Sequence, residues 1–232
     1  MRKNTNMFAI SGVLVMAATG IGLKLNSDRL SADFVHSGDE ASTKDLIAGG
    51  ADLNRTEEMG STPLMQAARS GEPGGVKTLL DNKVKVDAVD DSGRTALNWS
   101  IYMFKLSKDP RYTQISRMLM EKGASVHHKD RQGRTYLINA LEAGDFDVAQ
   151  SLIDRGIDVK PADSGGTTAL MCVMKGALTG PQITTMCKRL LEKGADPSKR
   201  NRGGKTAYDL AKSQPDRETK EAGTRALAST IK

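Results

Sequence analysis

Three histidines and one short glycine-rich run are the residues that first suggest chemistry in this sequence. His36 stands alone, while His127 and His128 are adjacent, and this spacing fits neither a hydrolytic arrangement nor a zinc site. The run GGKT at 203–206 resembles the end of a phosphate-binding loop, but Lys199 stands where that motif requires its first glycine. We therefore expect no metal site, no bound nucleotide and no other cofactor.

The sequence also lacks the motifs that identify common catalytic sites. It contains no G-x-S-x-G elbow, no Cys–His pairing motif and no H-E-x-x-H helix, and its carboxylates are scattered. Cys172 and Cys187 are too few for a disulfide framework; they are either two small core residues or one disulfide. We predict that the protein is not an enzyme. The alternative, an unrecognised catalytic site, would depend on a specific acid or histidine.

The composition favours a thin, elongated soluble protein. Hydrophobic residues make up 38% of the 232 residues, but aromatic residues only 4%, whereas one thick core would use more large rings. The formal net charge is +6, yet Arg2, Lys3 and Lys24 lie at the N-terminus, and 31 basic and 28 acidic side chains remain after them. This excess is too small to predict nucleic-acid binding.

The N-terminal segment has the layout of an export signal. Residues 7–23, MFAISGVLVMAATGIGL, are uncharged and follow two basic residues. The run is at the lower length limit for a membrane-spanning helix. We predict that residues 1–24 are a removable signal peptide or an N-terminal hydrophobic helix that anchors the protein in the inner membrane; a buried helix is the remaining alternative. An exported chain would place the rest of the protein in the periplasm.

Two phrases recur along the chain in one register. The first phrase, typified by GSTPLMQAARSG at 60–71, aligns on a threonine, and its copies are spaced by 33, 40, 33 and 38 residues. The second phrase, typified by LLEKGAD at 190–196, recurs with the same four spacings. The aligned residues of the first phrase are Thr62, Thr95, Thr135, Thr168 and Thr206, and those of the second are Gly50, Lys83, Gly123, Gly156 and Gly194.

These phrases resemble the ankyrin repeat, which has G-x-T-P-L-H-x-A-A near its start and L-L-x-x-G-A-D at its end. The resemblance implies an all-α solenoid of helix-turn-helix units with projecting hairpin loops, in which stacking buries the face that one unit cannot cover alone. The threonines would cap first helices and the glycines would end second helices. The predicted units are a capping repeat at 25–54, repeats at 55–87, 88–127, 128–160 and 161–199, and a C-terminal capping repeat and tail at 200–232.

The units differ in length. The third carries seven extra residues and the fifth carries five, and we expect them in loops between the two helices, at 104–114 and 176–182. The tail after residue 213 could form a short helix or be partly disordered. Lys83 stands where the repeat favours glycine, so we expect a correct fold of modest stability.

The resemblance also implies a concave groove that binds one protein partner through hairpin tips and the inner helix face. Carrying the family's positions over gives a set of predicted partner-binding residues: Glu58, Met59, Arg69, Asp91, Arg94, Trp99, Tyr102, Met103, Arg131, Arg134, Glu142, Lys175, Arg202 and Lys205. Residues 25–187 hold 19 basic and 22 acidic groups, and residues 188–232 hold 12 and 6. The groove should therefore be acidic towards the first units and basic towards the last. The aromatic residues near 99–112 either anchor the partner or only pack the insertion.

Exported proteins that resemble this one in bacteria include immunity partners of secreted toxic effectors such as phospholipases. We therefore expect a monomeric, non-catalytic periplasmic binding protein that inhibits or protects one cognate protein. One alternative is a scaffold or stabiliser of an endogenous envelope enzyme. Another is a host-directed secreted effector, which would bind nucleic acid or signalling proteins in a salt-sensitive manner through the basic end.

Overall fold

The computed structural model describes residues 38–175 and 178–228, and within them the regular structure is helical apart from two isolated β-bridges. A 3₁₀ turn spans Glu58–Gly60. The α-helices in chain order are α1 Glu40–Ala48, α2 Pro63–Ser70, α3 Pro73–Asp81, α4 Ala96–Ser107, α5 Pro110–Glu121, α6 Tyr136–Ala143, α7 Phe146–Asp154, α8 Ala169–Val173, α9 Gly180–Glu192, α10 Ala207–Lys212 and α11 Arg217–Ala228. The hydrophobic helix predicted at 7–23 and the start of the first unit lie outside the described residues.

The five aligned threonines are the N-caps of the five first helices, α2, α4, α6, α8 and α10, as the repeat predicts. Each threonine side chain accepts a hydrogen bond from the backbone N–H three residues later. Thr95 also forms a capping box with Asn98, and Thr206 forms one with Asp209. A cap of this kind contributes about 1 kcal/mol to a helix, so one residue type defines the start of each unit.

The end of each second helix requires a left-handed residue, and glycine supplies it in four units. Gly123 and Gly194, for example, have φ angles of 92° and 86°. Lys83 takes the same position after α3 with φ of 57°. The left-handed conformation costs a residue with a Cβ about 1–2 kcal/mol, so the second unit carries strain at the end of its second helix that the glycines avoid in the other units.

Stacking arranges the helices in two parallel rows. The first row runs α2, α4, α6, α8, α10, and the second row runs α1, α3, α5, α7, α9, α11, with each helix in contact with the next in its row. The leucine two residues after the threonine is buried in four successive units, and a small side chain five residues after the threonine is fully buried in four of the five units that carry the threonine. The residues at these two positions include Leu64, Leu97, Leu137 and Leu170, and Ala67, Ser100, Ala140 and Ala211. One continuous core therefore runs between the rows.

The extra residues of the third unit lengthen its helices, so the prediction that they form a loop at 104–114 is wrong. Helix α4 extends to Ser107, and only Lys108 and Asp109 separate it from α5. Lys108 ends α4 in the left-handed conformation, and Asp109 caps α5 ahead of Pro110. In the fifth unit, residues 176 and 177 are outside the described part of the chain and α9 begins at Gly180. The tail forms helix α11, which packs on α9 and α10.

Candidate functional site

The face formed by the first row of helices and the hairpin tips that precede them is here called the inner face. The tips are joined to one another by backbone hydrogen bonds of 2.9 Å, from Asp91 N–H to the Met59 carbonyl, from Ser164 to Gln132 and from Arg202 to Gly165. Within each of the four later tips, an aspartate or asparagine side chain accepts two backbone N–H groups, as Asp90 does from residues 92 and 94 at 2.8 and 2.9 Å. These bonds hold the tips in fixed positions beside the helices.

Two arginines and two aromatic rings form a cluster on the second and third units. The Arg94 guanidinium lies 4.9 Å from the Trp99 ring centre and 5.2 Å from that of Tyr102, and Arg69 lies 5.5 Å from Trp99. The two rings meet edge to face at 5.9 Å. The Trp99 indole N–H donates to Asp90 Oδ2 at 3.0 Å. Since Tyr102 remains 41% exposed, the cluster presents an aromatic ring and two cations to solvent.

A second cluster lies on the third, fourth and fifth units around the half-buried Glu142 carboxylate. Lys175 and Lys105 contact its two oxygens at 2.9 and 3.4 Å, and Arg134 approaches at 3.8 Å. Burial would raise the pKa of Glu142, but the two ammonium groups outweigh it and hold the pKa below its usual range. Arg134 also pairs with Asp130 at 2.8 Å. The acids of this cluster are thus neutralised, and its accessible edge is cationic.

A cleft joins the two clusters. Its walls are polar side chains from the third and fourth units, with Ile101 as the apolar member: Arg94, Asn98, Tyr102, Lys105, Asp130, Arg134 and Asn139. The arginine and tyrosine side chains that line it are the residue types that anchor protein interfaces most often. The arrangement suits recognition of a polar, negatively charged protein segment.

The remaining predicted contact residues lie at the hairpin tips, with one exception. Met59 is 70% exposed in the left-handed conformation, with φ of 61°. Glu58, Asp91, Arg131, Arg202 and Lys205 are also exposed. Met103 is the exception, because it is half-buried against the core. The order of charges along the tips follows the predicted change from acidic to basic, but along the helices cations begin with Arg69 in the second unit.

The two roles predicted for the aromatic residues near 99–112, packing and partner contact, fall to different residues. Phe104 packs against the core, and Tyr112 is buried with its hydroxyl donating to the Arg69 carbonyl at 3.1 Å. Trp99 and Tyr102 instead form the cluster on the inner face. Sequence reasoning missed Lys105, Asn98 and Asn139 as part of the site; the signal for Lys105 is that a lengthened α4 carries it beyond the usual end of a first helix.

The residues considered for chemistry have structural roles where the structure describes them. The His128 Nε2 atom lies 2.7 Å from the Gly93 carbonyl oxygen, and His127 is exposed. Thr206 of the GGKT run caps α10. Cys172 and Cys187 are buried and free, and burial raises the pKa of each thiol to about 12. In residues 38–175 and 178–228, no group of three metal-ligating side chains comes together, and none of the helices has the length and apolarity to cross a membrane.

The two rows of capped helices and the tip-lined inner face define a helical-repeat protein that binds other proteins. The family model for ankyrin repeats (3 copies) matches residues 32–130 and 107–201. The chain belongs to the ankyrin-repeat family.

Among curated relatives, the human ankyrin repeat domain-containing protein 63 is 28% identical over 155 residues, which cover 66% of this chain and 40% of the relative. The mouse protein of the same name is 28% identical over 158 residues, covering 67% and 39%. This chain thus spans about two fifths of the length of the first curated relatives that it matches.

Two solved structures are similar over most of this chain. One is a chain in the complex of a predatory endopeptidase from Bdellovibrio bacteriovorus with an immunity protein, at 28% identity and a TM-score of 0.67, covering 84% of this chain and 96% of that one. The other is an ankyrin repeat domain from Acinetobacter baumannii AYE, at 24% identity and a TM-score of 0.67, covering 84% and 97%. The second similarity concerns the fold alone.

Proposed function

We propose that this protein binds one protein partner through the inner face and thereby inhibits that partner or protects the cell from it, as an immunity protein does. The observation that carries the proposal is the similarity over nearly the whole length of a chain from the complex of a predatory endopeptidase with an immunity protein. The partner would be a toxic hydrolase, and both peptidases and phospholipases are candidates. The protein would act as a monomer.

The geometry of the inner face supports a protein as the bound molecule. Arg69, Arg94, Trp99 and Tyr102 already contact one another without a partner, through cation–π contacts and, for Trp99, an indole hydrogen bond to Asp90. Preorganised aromatic and arginine side chains lose little conformational entropy on binding. Such residues usually contribute most of the binding free energy of an interface.

The site of action in this proposal is the periplasm. The apolar segment at 7–23 with its two preceding basic residues supports export, and it would either be removed or hold the protein in the inner membrane. An inhibitor of a toxin delivered between cells must be present in the compartment where the toxin arrives. A fusion of residues 1–24 to alkaline phosphatase tests this step, because that enzyme is active only after export; an inactive fusion would contradict the proposed location.

The binding step is tested by capture of the partner from an envelope fraction and by assay of its hydrolase activity with and without this protein. Tyr102→Ala should weaken capture by about 30-fold or more, as loss of an interface anchor does. The double variant Arg202→Ala/Lys205→Ala tests the last tip. Lys188→Ala is the control, because this α9 side chain is 77% exposed in the second row. A partner held equally well by all variants would show that the inner face is not the binding surface.

A further inference from the structure

Because the units repeat, the hydrogen bonds of the tip aspartates can be compared between one unit and the next. Asp90 in the third unit and Asp130 in the fourth occupy equivalent positions, three residues before Gly93 and Gly133 respectively. In both, Oδ1 accepts the backbone N–H groups two and four residues later, at distances of 2.8 to 3.0 Å. The second oxygen, Oδ2, is then available to one more donor.

The two units use different donors for that second oxygen. In the fourth unit, the Arg134 Nε–H donates to Asp130 Oδ2 at 2.8 Å. In the third unit, Arg94 occupies the position equivalent to Arg134, but the Trp99 indole N–H donates to Asp90 Oδ2 instead, at 3.0 Å. Asn139 stands in the fourth unit where Trp99 stands in the third. The tryptophan therefore takes the acceptor that the arginine would otherwise use.

Arg94 is left without an acidic partner as a result. Its guanidinium stacks on the Trp99 and Tyr102 rings, and neither Arg94 nor Arg69 forms an ion pair with a carboxylate of the described residues. A guanidinium that stacks on a ring keeps its N–H donors, which lie in the guanidinium plane, free to bind an anion. Two such cations beside a single indole form a positive site whose guanidinium groups have no ion-pair partner among the described residues.

We propose that Arg94 and Arg69 bind the carboxylate of an aspartate or glutamate on a loop of the protein partner, with the Trp99–Tyr102 pair holding the guanidinium groups in place. This inference rests on the proposed function and specifies the chemistry of the partner. Arginine binds carboxylates through two parallel N–H donors, and such charge-assisted bonds are stronger than neutral ones.

A protein carboxylate fits the site better than a nucleic acid does. Two guanidinium groups approach the Trp99 ring and one approaches the Tyr102 ring, so only the exposed part of Tyr102 is left for base stacking. The neighbouring tips carry the exposed acids Glu58 and Asp91, which repel a continuous chain of phosphates. A single carboxylate on a loop avoids that repulsion.

The experiment uses a displayed library of twelve-residue peptides selected against the full chain. The affinity of the best peptide is measured by fluorescence anisotropy, and its acidic residue is replaced by the corresponding amide. We expect the selection to enrich Asp or Glu, and we expect both Arg94→Ala and the amide peptide to weaken binding about ten- to a hundred-fold. Lys188→Ala should leave the affinity unchanged, and Arg94→Lys should restore only part of it because the two-donor geometry is lost.

A second variant tests the role of the tryptophan directly. Trp99→Asn recreates the fourth unit's arrangement, so a crystal structure of this variant should show Arg94 paired with Asp90, and the acidic peptide should bind as weakly as it does to Arg94→Ala. Circular dichroism verifies that the variant is folded. If Arg94 does not pair with Asp90 in this variant and the acidic peptide still binds, the hydrogen bond from Trp99 to Asp90 has no role in peptide binding.

The outcomes separate this inference from the proposed function. Peptides that lose affinity with Tyr102→Ala but not with Arg94→Ala would overturn the carboxylate site and leave inner-face binding intact. A selection that enriches no acidic peptide also overturns the carboxylate site. Peptides insensitive to both changes would overturn inner-face binding as well. An oligonucleotide that binds as tightly as the peptide, with the same dependence on Arg94, would replace the protein carboxylate with a phosphate.

Discussion

Tyr136 connects the fourth unit to the third through one buried hydrogen bond, and the Tyr136→Phe substitution removes only the hydroxyl group that makes it. The ring is fully buried at the start of α6, and its hydroxyl lies 2.7 Å from Thr95 Oγ1 at the start of α4. Burial raises the pKa of Tyr136, so the phenol is neutral at physiological pH. The bond thus joins the two first helices that carry the cleft.

The expected loss follows from the partners that remain. A buried neutral hydrogen bond contributes about 1 kcal/mol net, and an unpaired group left behind adds to the cost of its removal. Without the Tyr136 hydroxyl, Thr95 Oγ1 still accepts the Asn98 backbone N–H at 3.3 Å, and its own O–H is left with a 3.4 Å contact to Asn98 Oδ1. We therefore expect Tyr136→Phe to lower the free energy of unfolding by about 1–2 kcal/mol. For a chain of this size, that corresponds to a decrease in Tm of roughly 2–8 °C.

Urea unfolding followed by far-UV circular dichroism measures this loss, and the slope of the transition shows whether the stack still unfolds as one unit. Tyr208→Phe is the matched control, since the half-buried Tyr208 makes no hydrogen bond through its hydroxyl to any described residue. The control should change stability by less than about 0.5 kcal/mol. Equal losses for the two variants would refute the stabilising role of the Tyr136–Thr95 bond.

Three further changes test other parts of the structure. Lys83→Gly should raise the free energy of unfolding by about 1 kcal/mol in urea, because glycine adopts φ of 57° without strain. Glu142→Gln should lower the free energy of unfolding by about 0.5–1 kcal/mol at pH 7. Lys175 and its neighbours hold the pKa of Glu142 in the folded protein below 4.5. In thermal melts, the stability difference between the two proteins should therefore be full above that pH and disappear as the pH falls through the lowered pKa. Gly75→Ala should cost about 1–3 kcal/mol, since its Cβ would lie 1.9 Å from the Gly38 carbonyl oxygen.

Each of these changes has a matched control in the same chain. Lys85→Gly introduces glycine near Lys83 at a residue without positive φ, so it should not stabilise the protein. Glu192→Gln removes an exposed carboxylate 4.0 Å from Lys188 and should have almost no effect. At Gly74 the nearest atoms to a Cβ would be those of the Glu40 side chain, at 3.0 Å, so Gly74→Ala should be milder than Gly75→Ala. A control that matches its test variant would contradict the reason given for that variant.

The signals that predicted the fold are local and repeat in the sequence. A threonine that caps the helix following it acts within three residues, and a glycine that ends a helix acts through its own φ angle. Thr62 and Gly123 therefore have the predicted roles without knowledge of any distant neighbour. The lengths of α4 and α5 were not predicted, because residues added to a helix and residues added to a loop satisfy the same repeat spacing.

The candidate site was predicted as positions but not as pairings. Seven residues after the threonines, Arg69, Tyr102, Glu142 and Lys175 fall on the inner face as expected. Which of them meet depends on neighbouring units some 33 to 40 residues away in sequence. The repeat pattern does not indicate which of two hydrogen-bond donors, Trp99 or Arg94, binds Asp90 Oδ2, so the hydrogen bond from Trp99 to Asp90 could not be predicted from it.

The two kinds of position within the repeat explain why a stable fold and a specific surface coexist. Two residues after each of the first four threonines a leucine is buried, and five residues after all five threonines a small side chain or valine is buried, because a change there disturbs stacking on both sides. Four residues after it, the chain has Gln66, Trp99, Asn139, Cys172 and Leu210, which differ in size, polarity and hydrogen bonding. Since stacking tolerates this variety, the fourth position can change a neighbouring contact without changing the scaffold. The tryptophan at that position in the third unit redirects one hydrogen bond, and the arginine that it displaces becomes available to a partner.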